Sequence, residues 1–429
     1  MSQKLALLGG EPVRREPYPV HSTMIGEEEE REVLEVLRSQ HLSGFSGTFT
    51  DRFLGGEKVQ AIERAFADLF GVRHAVSVNS ATSALHCAVA ATGVEPGEEI
   101  ITSPYTMSAT ASSILMENAI PVFADVEDET FCIDPASVEA CITPRTRAIL
   151  TVNIFGHPSA LHELRAIADK HGLMLLEDNA QAPLAACRGR MAGTVGEIGI
   201  QSLNYHKVIQ TGEGGIALTD DPEMALHMQL KRNHGEVVAG PMGREDLPNM
   251  VGFNYRLTEV CAAIGLGQMK KLRRLTDIRA RLAARLTQQL REFDFLTPPA
   301  VAEGCTHVYY LYTMKFDEAK AGIPRGLFAR ALRAEGVNVL EGYLRPIYME
   351  PIYQKRSAYG TRGFPFRQGS WESPVSYREG ACPTVERLWK REALVTNICR
   401  HPNTEREVEE FVQAVDKVRR NLDELRGMA

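Results

Sequence analysis

Leu173-Met-Leu-Leu-Glu177-Asp178-Asn179-Ala180-Gln181-Ala182 carries an apolar run directly into two carboxylates and an amide. A short apolar run that ends in turn chemistry reads as a strand buried on both faces, as in parallel sheets covered by helices. Similar runs recur at residues 74–78, 99–103, 120–126, 148–154, 198–203 and 215–219. Helical spacing fills many of the gaps, at 83–91, 108–118 and 160–171. The alternation predicts one large open α/β domain with a mostly parallel, mixed sheet covered by helices. Such sheets bind ligands at the carboxyl ends of their strands, so the residues just after each strand are where chemistry is expected.

Outward from this centre, residues 27–38 and 59–70 show amphipathic helical faces. The first begins with four glutamates, where a helix dipole favours negative charge, and the second stops at Gly71. Residues 257–292 read as mostly helical. Beyond 293 the character changes to a strand at 308–316, a helix at 325–335, a long irregular stretch at 341–385, and an amphipathic helix at 406–426. The expected division is an N-terminal arm (1–24) packed on a partner subunit, a large α/β domain (25–292), and a smaller C-terminal α+β domain (293–429). The stretch 341–385 holds five prolines and five tyrosines without a clean period, and a loop of that length is functional or disordered more often than not.

The 429 residues include 48 Lys plus Arg against 55 Asp plus Glu, a formal net charge of −7. An acidic chain without a basic tail lacks the electrostatic footprint of a nucleic-acid binder. No uncharged apolar run approaches the roughly 18 residues of a membrane span. The opening Met1-Ser-Gln-Lys-Leu-Ala-Leu-Leu-Gly-Gly has too short an apolar stretch for a signal peptide, so a cytoplasmic location is expected. Eight scattered cysteines, with no C-x-x-C pair, form neither a disulfide framework nor a zinc pattern. His157 and His162 lack a third converging ligand, and no metal is expected.

Three strand ends carry candidate chemistry. In Val76-Ser-Val-Asn-Ser80-Ala81-Thr82-Ser83, a strand runs into small hydroxyl residues that open a helix. That is either a phosphate seat, built from free N–H groups with the Thr82 and Ser83 hydroxyls, or a simple N-cap. Asp178 ends its strand where it either faces a cation or caps a helix. Lys207 lies beyond the strand at 198–203 and before the glycine-dense turn Thr211-Gly-Glu-Gly-Gly215. That turn is neither a dinucleotide fingerprint nor a P-loop. Taken together, a phosphate seat, an acid and a lysine at neighbouring strand ends are what pyridoxal 5′-phosphate requires. The lysine amine condenses with its aldehyde, and the carboxylate keeps the pyridine nitrogen protonated so that the ring acts as an electron sink.

Beyond these residues, the sequence resembles the DegT/DnrJ/EryC1/StrS sugar aminotransferases, of the aspartate-aminotransferase fold (fold type I of the pyridoxal-phosphate enzymes). The resemblance covers most of the chain. It is carried by Ser80-Ala81-Thr82, Glu177-Asp178-x-x-Gln181-Ala182, Ser202-x-x-x-x-Lys207-x-x-x-Thr211-Gly-Glu-Gly-Gly215 and Gly252-Phe-Asn254-Tyr-Arg256. It implies that Lys207 is the lysine that binds the aldehyde, Asp178 the partner of the ring nitrogen and Gln181 that of the ring 3′-oxygen. It also implies that Ala81, Thr82 and Ser202 contact the phosphate, and that Asn254, accompanied by Arg256, reaches the phosphate of a partner subunit in a homodimer. The family's ring-stacking aromatic is replaced by Met107, whose sulfur can cover a π-face, or its role passes to Tyr105. Where the family has a short turn, this chain has Gly342-Tyr343-Leu-Arg345-Pro346-Ile-Tyr348, so that Tyr343, Arg345 and Tyr348 are candidates for substrate contact or part of a surface insertion.

The function implied is transfer of an amino group from glutamate or glutamine to a keto-sugar, nucleotide-linked or not, or to a keto-cyclitol. A related sugar dehydratase carries His at the position of Lys207, and here only the neighbouring His206 offers one. A cofactor-binding regulator conflicts with the intact lysine, acid and amide, and a nicotinamide dehydrogenase lacks its glycine fingerprint.

Overall fold

The computed structural model describes residues 4–244 and 246–428; residues 1–3 of the expected arm lie outside the described residues. The main sheet has seven strands: β1 (His74–Val78), β2 (Glu99–Thr102), β3 (Ile120–Phe123), β4 (Thr146–Val152), β5 (Met174–Asp178), β6 (Ile198–Ser202) and β7 (Gly215–Thr219). Their order is β1-β7-β6-β5-β4-β2-β3. From β3 to β6 all neighbours run parallel, and β7 runs antiparallel to both β1 and β6. All seven fall within or close to the expected runs, and the run at 120–126 ends early, at Phe123.

Strand alternation sorts the side chains. Leu176, Ile198 and Ile200 enter the core that holds Leu85 and Met228, from the helices α1 (Ala81–Ala91) and α2 (Pro222–Arg232). Leu175 and Ile149 face the other way, onto Leu164 and Ala168 of α3 (Leu161–His171). Two positions further along, Asp178 and Ser202 therefore share the face of Leu176 and Ile200, and Glu177 shares the face of Leu175. A two-residue period decides which carboxylate can reach the site.

A second sheet is antiparallel throughout: β8 (Leu296–Thr297), β9 (Tyr312–Phe316), β10 (Leu340–Glu341) and β11 (Ala393–Thr396), in the order β8-β9-β11-β10. Its core includes Phe316, Phe328 and Phe411. The helix Leu272–Leu290 serves both cores. Leu272 and Leu275 pack with the main sheet, whereas Leu282, Leu286 and Leu290 pack with the second. The change of packing partner thus falls inside this helix, ahead of the division expected at 292/293.

The start of the N-terminal segment packs on its own chain. Leu5 is fully buried in the second core of its own chain. Ala6 N and Val13 N donate to the Glu335 carboxylate at 2.8 and 3.1 Å, and Lys417 Nζ lies 2.8 Å from the same group. Arg14 pairs with Glu407 at 3.6 Å and with Glu410. A buried carboxylate needs donors, and the N-terminal backbone supplies two of them.

The stretch 341–385 is not a surface insertion. Tyr348, Tyr353, Phe366 and Tyr377 pack into one core with Tyr105, Phe131 and Phe155, and Phe123 of the edge strand β3 packs against it. Tyr377 Oη donates to Pro121 O at 2.8 Å, and Thr384 N to Asp125 Oδ2 at 2.8 Å. The exposed edge of the sheet is thereby covered.

Candidate active site

The corner where α1 begins is set by Ser80, whose backbone is extended and whose Oγ accepts from Ser83 N at 3.1 Å. The first helical hydrogen bond runs from Ala84 N to Ser80 O at 3.1 Å, which leaves the N–H groups of Ala81 and Thr82 without helical acceptors. The Ser83 hydroxyl, one of the two expected in a phosphate seat, is 2.7 Å from Asn79 Oδ1 and completes the cap instead. The exposed Thr82 remains free. Gly215 lies directly beneath this helix start: a Cβ there would stand 2.6 Å from Ala81 N and from the Ser80 carbonyl carbon and oxygen. Ser202 pairs with Gly215 in the sheet register, which brings its hydroxyl to the same corner. Among the described residues, the Ala81 and Thr82 N–H groups and the Thr82 and Ser202 O–H groups donate to no acceptor, and together they form a cradle of free donors.

Asp178 ends β5 on the same face. It is buried, with Thr110 Oγ1 donating to Oδ2 at 2.8 Å and Ala180 N to Oδ1 at 3.1 Å. Burial raises its pKa above the ordinary carboxylate value, while these donors and the nearby Lys207 charge pull it back. Glu177 takes a different role. Gly193 N, Val195 N and Gly196 N donate to its carboxylate at 2.6, 2.7 and 2.8 Å, so it fastens a loop behind the sheet.

Lys207 sits in the loop that joins β6 to β7. The loop is closed by Leu203 N to Gly214 O at 2.9 Å, Thr211 N to Leu203 O at 2.8 Å and Thr211 Oγ1 to Glu213 O at 2.7 Å. Gly212 takes a left-handed φ of 80°, and a Cβ on Gly214 would collide with Thr211 Oγ1 at 2.5 Å. Glycine density at 212–215 thus answers to turn geometry and close packing. The Lys207 amine stands 4.7 Å above the centre of the Tyr310 ring and feels the charge of Asp178. Surrounding protein pushes the ammonium down to about 8, and the attraction of Asp178 only partly offsets this.

Gln181 closes another side. Its Oε1 accepts from Phe155 N at 2.8 Å, which turns Nε2 toward Tyr343 Oη at 3.3 Å. Tyr343 therefore stands beside Gln181. Tyr105 does not cover the site: its ring is fully buried, packed against Phe131 and Phe155, and its Oη accepts from Tyr343 N at 3.0 Å. Met107 precedes the helix Ser108–Met116, which carries Thr110, and is 54% exposed.

Four expected residues lie elsewhere or stand apart. Tyr348 is buried in the aromatic core, with its Oη donating to Glu386 at 2.5 Å, and cannot meet a substrate. Arg345 is exposed, 3.9 Å from Glu350. Arg256 Nε donates to Asn233 Oδ1 at 2.8 Å. Asn254 is exposed, and its backbone oxygen lies 3.5 Å from Asn79 Nδ2, next to the α1 cradle.

Sequence reading missed Tyr310, Thr110 and a pair of arginines. Arg279 is buried, and its guanidinium donates to Tyr310 O at 3.1 Å and Tyr309 O at 3.3 Å. Arg400, between β11 and the last long helix, is partly buried and acts electrostatically on Tyr310, His206 and His21, the groups around Lys207. Among the described residues its side chain has neither a hydrogen bond nor an ion pair. Burial lowers both guanidinium groups, Arg279 to about 10. Only contact across more than 90 residues of sequence assembles this pair, and no local motif announces it.

Residues 24–372 match the model of the DegT/DnrJ/EryC1/StrS aminotransferase family. A putative L-glutamine:3-amino-2,3-dideoxy-scyllo-inosose aminotransferase of Streptoalloteichus tenebrarius is 37% identical, over 99% of this chain and 100% of its own. The spore coat polysaccharide biosynthesis protein SpsC of Bacillus subtilis is 36% identical, over 83% of this chain and 91% of its own. Among solved structures, an aminotransferase from Psychrobacter cryohalolentis superimposes with a TM-score of 0.81 at 26% identity, covering 95% of this chain and all of that one.

Proposed function

The chain belongs to the DegT/DnrJ/EryC1/StrS aminotransferase family, and on that footing we propose that it aminates a keto-cyclitol, with glutamine or glutamate as donor and pyridoxal 5′-phosphate as cofactor. The choice of a cyclitol over a nucleotide-linked keto-sugar rests on the end-to-end alignment with the inosose aminotransferase, which takes in the stretch 341–385. The observation that carries the assignment is the pairing of a crowded lysine amine, shifted to about 8, with a buried carboxylate at the end of the neighbouring strand.

The residues fit this cofactor. The cradle at Ala81, Thr82 and Ser202, which only glycine at 215 leaves open, suits a phosphate dianion at a helix N-terminus. Asp178 suits a protonated ring nitrogen, Gln181 Nε2 the ring oxygen, and Met107 a ring face. Asn254 with Arg256 suits the phosphate of a partner subunit in a homodimer. When bound, the group supplies an electron sink for breaking the bond between hydrogen and the carbon that bears nitrogen.

The rest falls to the protein. Near neutral pH the lowered basicity of Lys207 keeps a useful fraction of its amine neutral, able to take a proton from carbon and return it at the adjacent position. Thr110 and Ala180 donate to Asp178 and favour its charged form, which suits it to hold the ring-nitrogen proton. Tyr310 shields the lysine from bulk water on one side. Arg400, a guanidinium without an anion, receives the carboxylate of the amino donor. The uncharged cyclitol then meets Tyr343. Lys207 stands where a dehydratase would carry His, which favours amination.

The test is incubation of the purified protein and cofactor with L-glutamine and 2-deoxy-scyllo-inosose, beside a nucleotide-linked keto-sugar. An amino-cyclitol as main product supports the proposal. Turnover of the nucleotide-linked substrate alone, or a deoxygenated product, opposes it.

A further inference from the structure

Cys187 and Cys305 oppose each other on two extended segments outside the two larger sheets. Cys187 lies in a small hairpin (Ala186–Cys187 and Arg190–Met191) that follows Asp178 in sequence. Cys305 lies on the approach to Tyr310. Thr306 N donates to Ala186 O and Arg188 N to Gly304 O, both at 2.8 Å. These bonds flank the 187/305 pair on either side, which makes it the narrow, non-hydrogen-bonded type of antiparallel pair, with Cα atoms about 4.5 Å apart. That spacing lies within the roughly 4.4–6.8 Å that a disulfide spans. The side chains of such a pair point to the same side, and the two free sulfurs stand 2.7 Å apart. Both residues line a surface cleft, with Cys305 the more exposed, so a small oxidant has access.

We propose that Cys187 and Cys305 form a reversible disulfide that staples the hairpin behind Asp178 to the segment leading to Tyr310. The oxidant is a small-molecule disulfide. The Cys305 thiolate attacks one of its sulfurs and expels a small thiolate, giving a mixed disulfide. The Cys187 thiolate attacks Cys305 Sγ and expels the second. Two protein thiols are oxidised, one small disulfide is reduced to two thiols, and the two protons pass to those thiols. The Cys305 thiol rests protonated, since burial pushes it up to about 12, so the exchange is slow. The staple closes a loop of more than 100 residues and pins the path Thr306–Val308, which already bonds Ala186 and Gly156.

The test is long incubation of the full-length protein with oxidised glutathione, followed by thiol counting in denaturant and disulfide mapping of peptides. Titratable thiols should fall from eight to six, with one linked peptide joining Cys187 to Cys305. Dithiothreitol should reverse the change. The melting temperature should rise by about 3 °C on oxidation, and not in Cys305→Ser. Eight free thiols, a different pairing, a glutathione adduct that stops at Cys305, or an unchanged melting temperature would each overturn it.

Discussion

The hydroxyl of Thr110 donates to Oδ2 of Asp178 at 2.8 Å, and among the described residues it is the one side-chain hydrogen bond this carboxylate receives. Thr110→Val keeps the shape and removes the donor. A bond to the charged form favours that form, so its loss raises the pKa of Asp178 further. The acid limb of kcat/KM should move to higher pH by about 0.5–1 unit, with activity above the limb little changed. An unmoved limb would separate Thr110 from the chemistry.

Asp178→Asn keeps the size and removes the charge that holds the ring-nitrogen proton. A hydrogen bond to a charged group contributes about 1.5–3 kcal/mol, so kcat/KM should fall by roughly 10- to 150-fold or more, with the fold intact by circular dichroism.

Arg400→Ala should divide the two half-reactions. The donor half, measured as single turnover with L-glutamine, should slow about 10- to 100-fold through weaker binding, as expected for loss of a charge-assisted pair. The half that consumes the uncharged keto-cyclitol should stay within about threefold. Equal loss in both would assign Arg400 to architecture.

Gly215→Ala places a methyl group 2.6 Å from Ala81 N and the Ser80 carbonyl, all backbone atoms. Overpacking of this kind costs about 1–3 kcal/mol. Because the strain falls on the cradle, cofactor dissociation, followed by fluorescence, should accelerate more than stability declines.

The pH response of Lys207 has a definite sign. Its folded value of about 8 lies below the ordinary 10.5, so between those limits the unfolded chain binds more protons. Stability of the cofactor-free protein therefore rises across that window and gains nothing from this group below it. Urea titrations at pH 7.5 and 9.5 should show a wild-type increment that Lys207→Met lacks.

Most of the main sheet was legible because buried parallel strands write themselves as apolar runs ended by turn residues, and β5 into Asp178 is the clearest case. The alternation that gives Asp178 to the site and Glu177 to the loop behind it follows from the same two-residue period. Other features were not legible. Tyr348 resembles Tyr343 in sequence but lies in the aromatic core, since one faces Gln181 and the other Glu386. The anchoring of the N-terminal segment on its own chain is equally silent in the sequence, since Glu335, which accepts from Ala6 N and Val13 N, lies more than 300 residues away. Tyr310 joins Lys207, and Arg400 joins Tyr310, only through tertiary packing, which local periodicity does not encode.

The account depends most on the amine of Lys207 as the group that bonds the cofactor aldehyde. The direct measurement is to load the purified protein with pyridoxal 5′-phosphate, reduce it with borohydride, digest it and find the added mass by peptide sequencing. The account predicts a single modified lysine, Lys207, and no stable adduct in Lys207→Ala. Label on another lysine, or an unmodified Lys207 in the loaded protein, would contradict it.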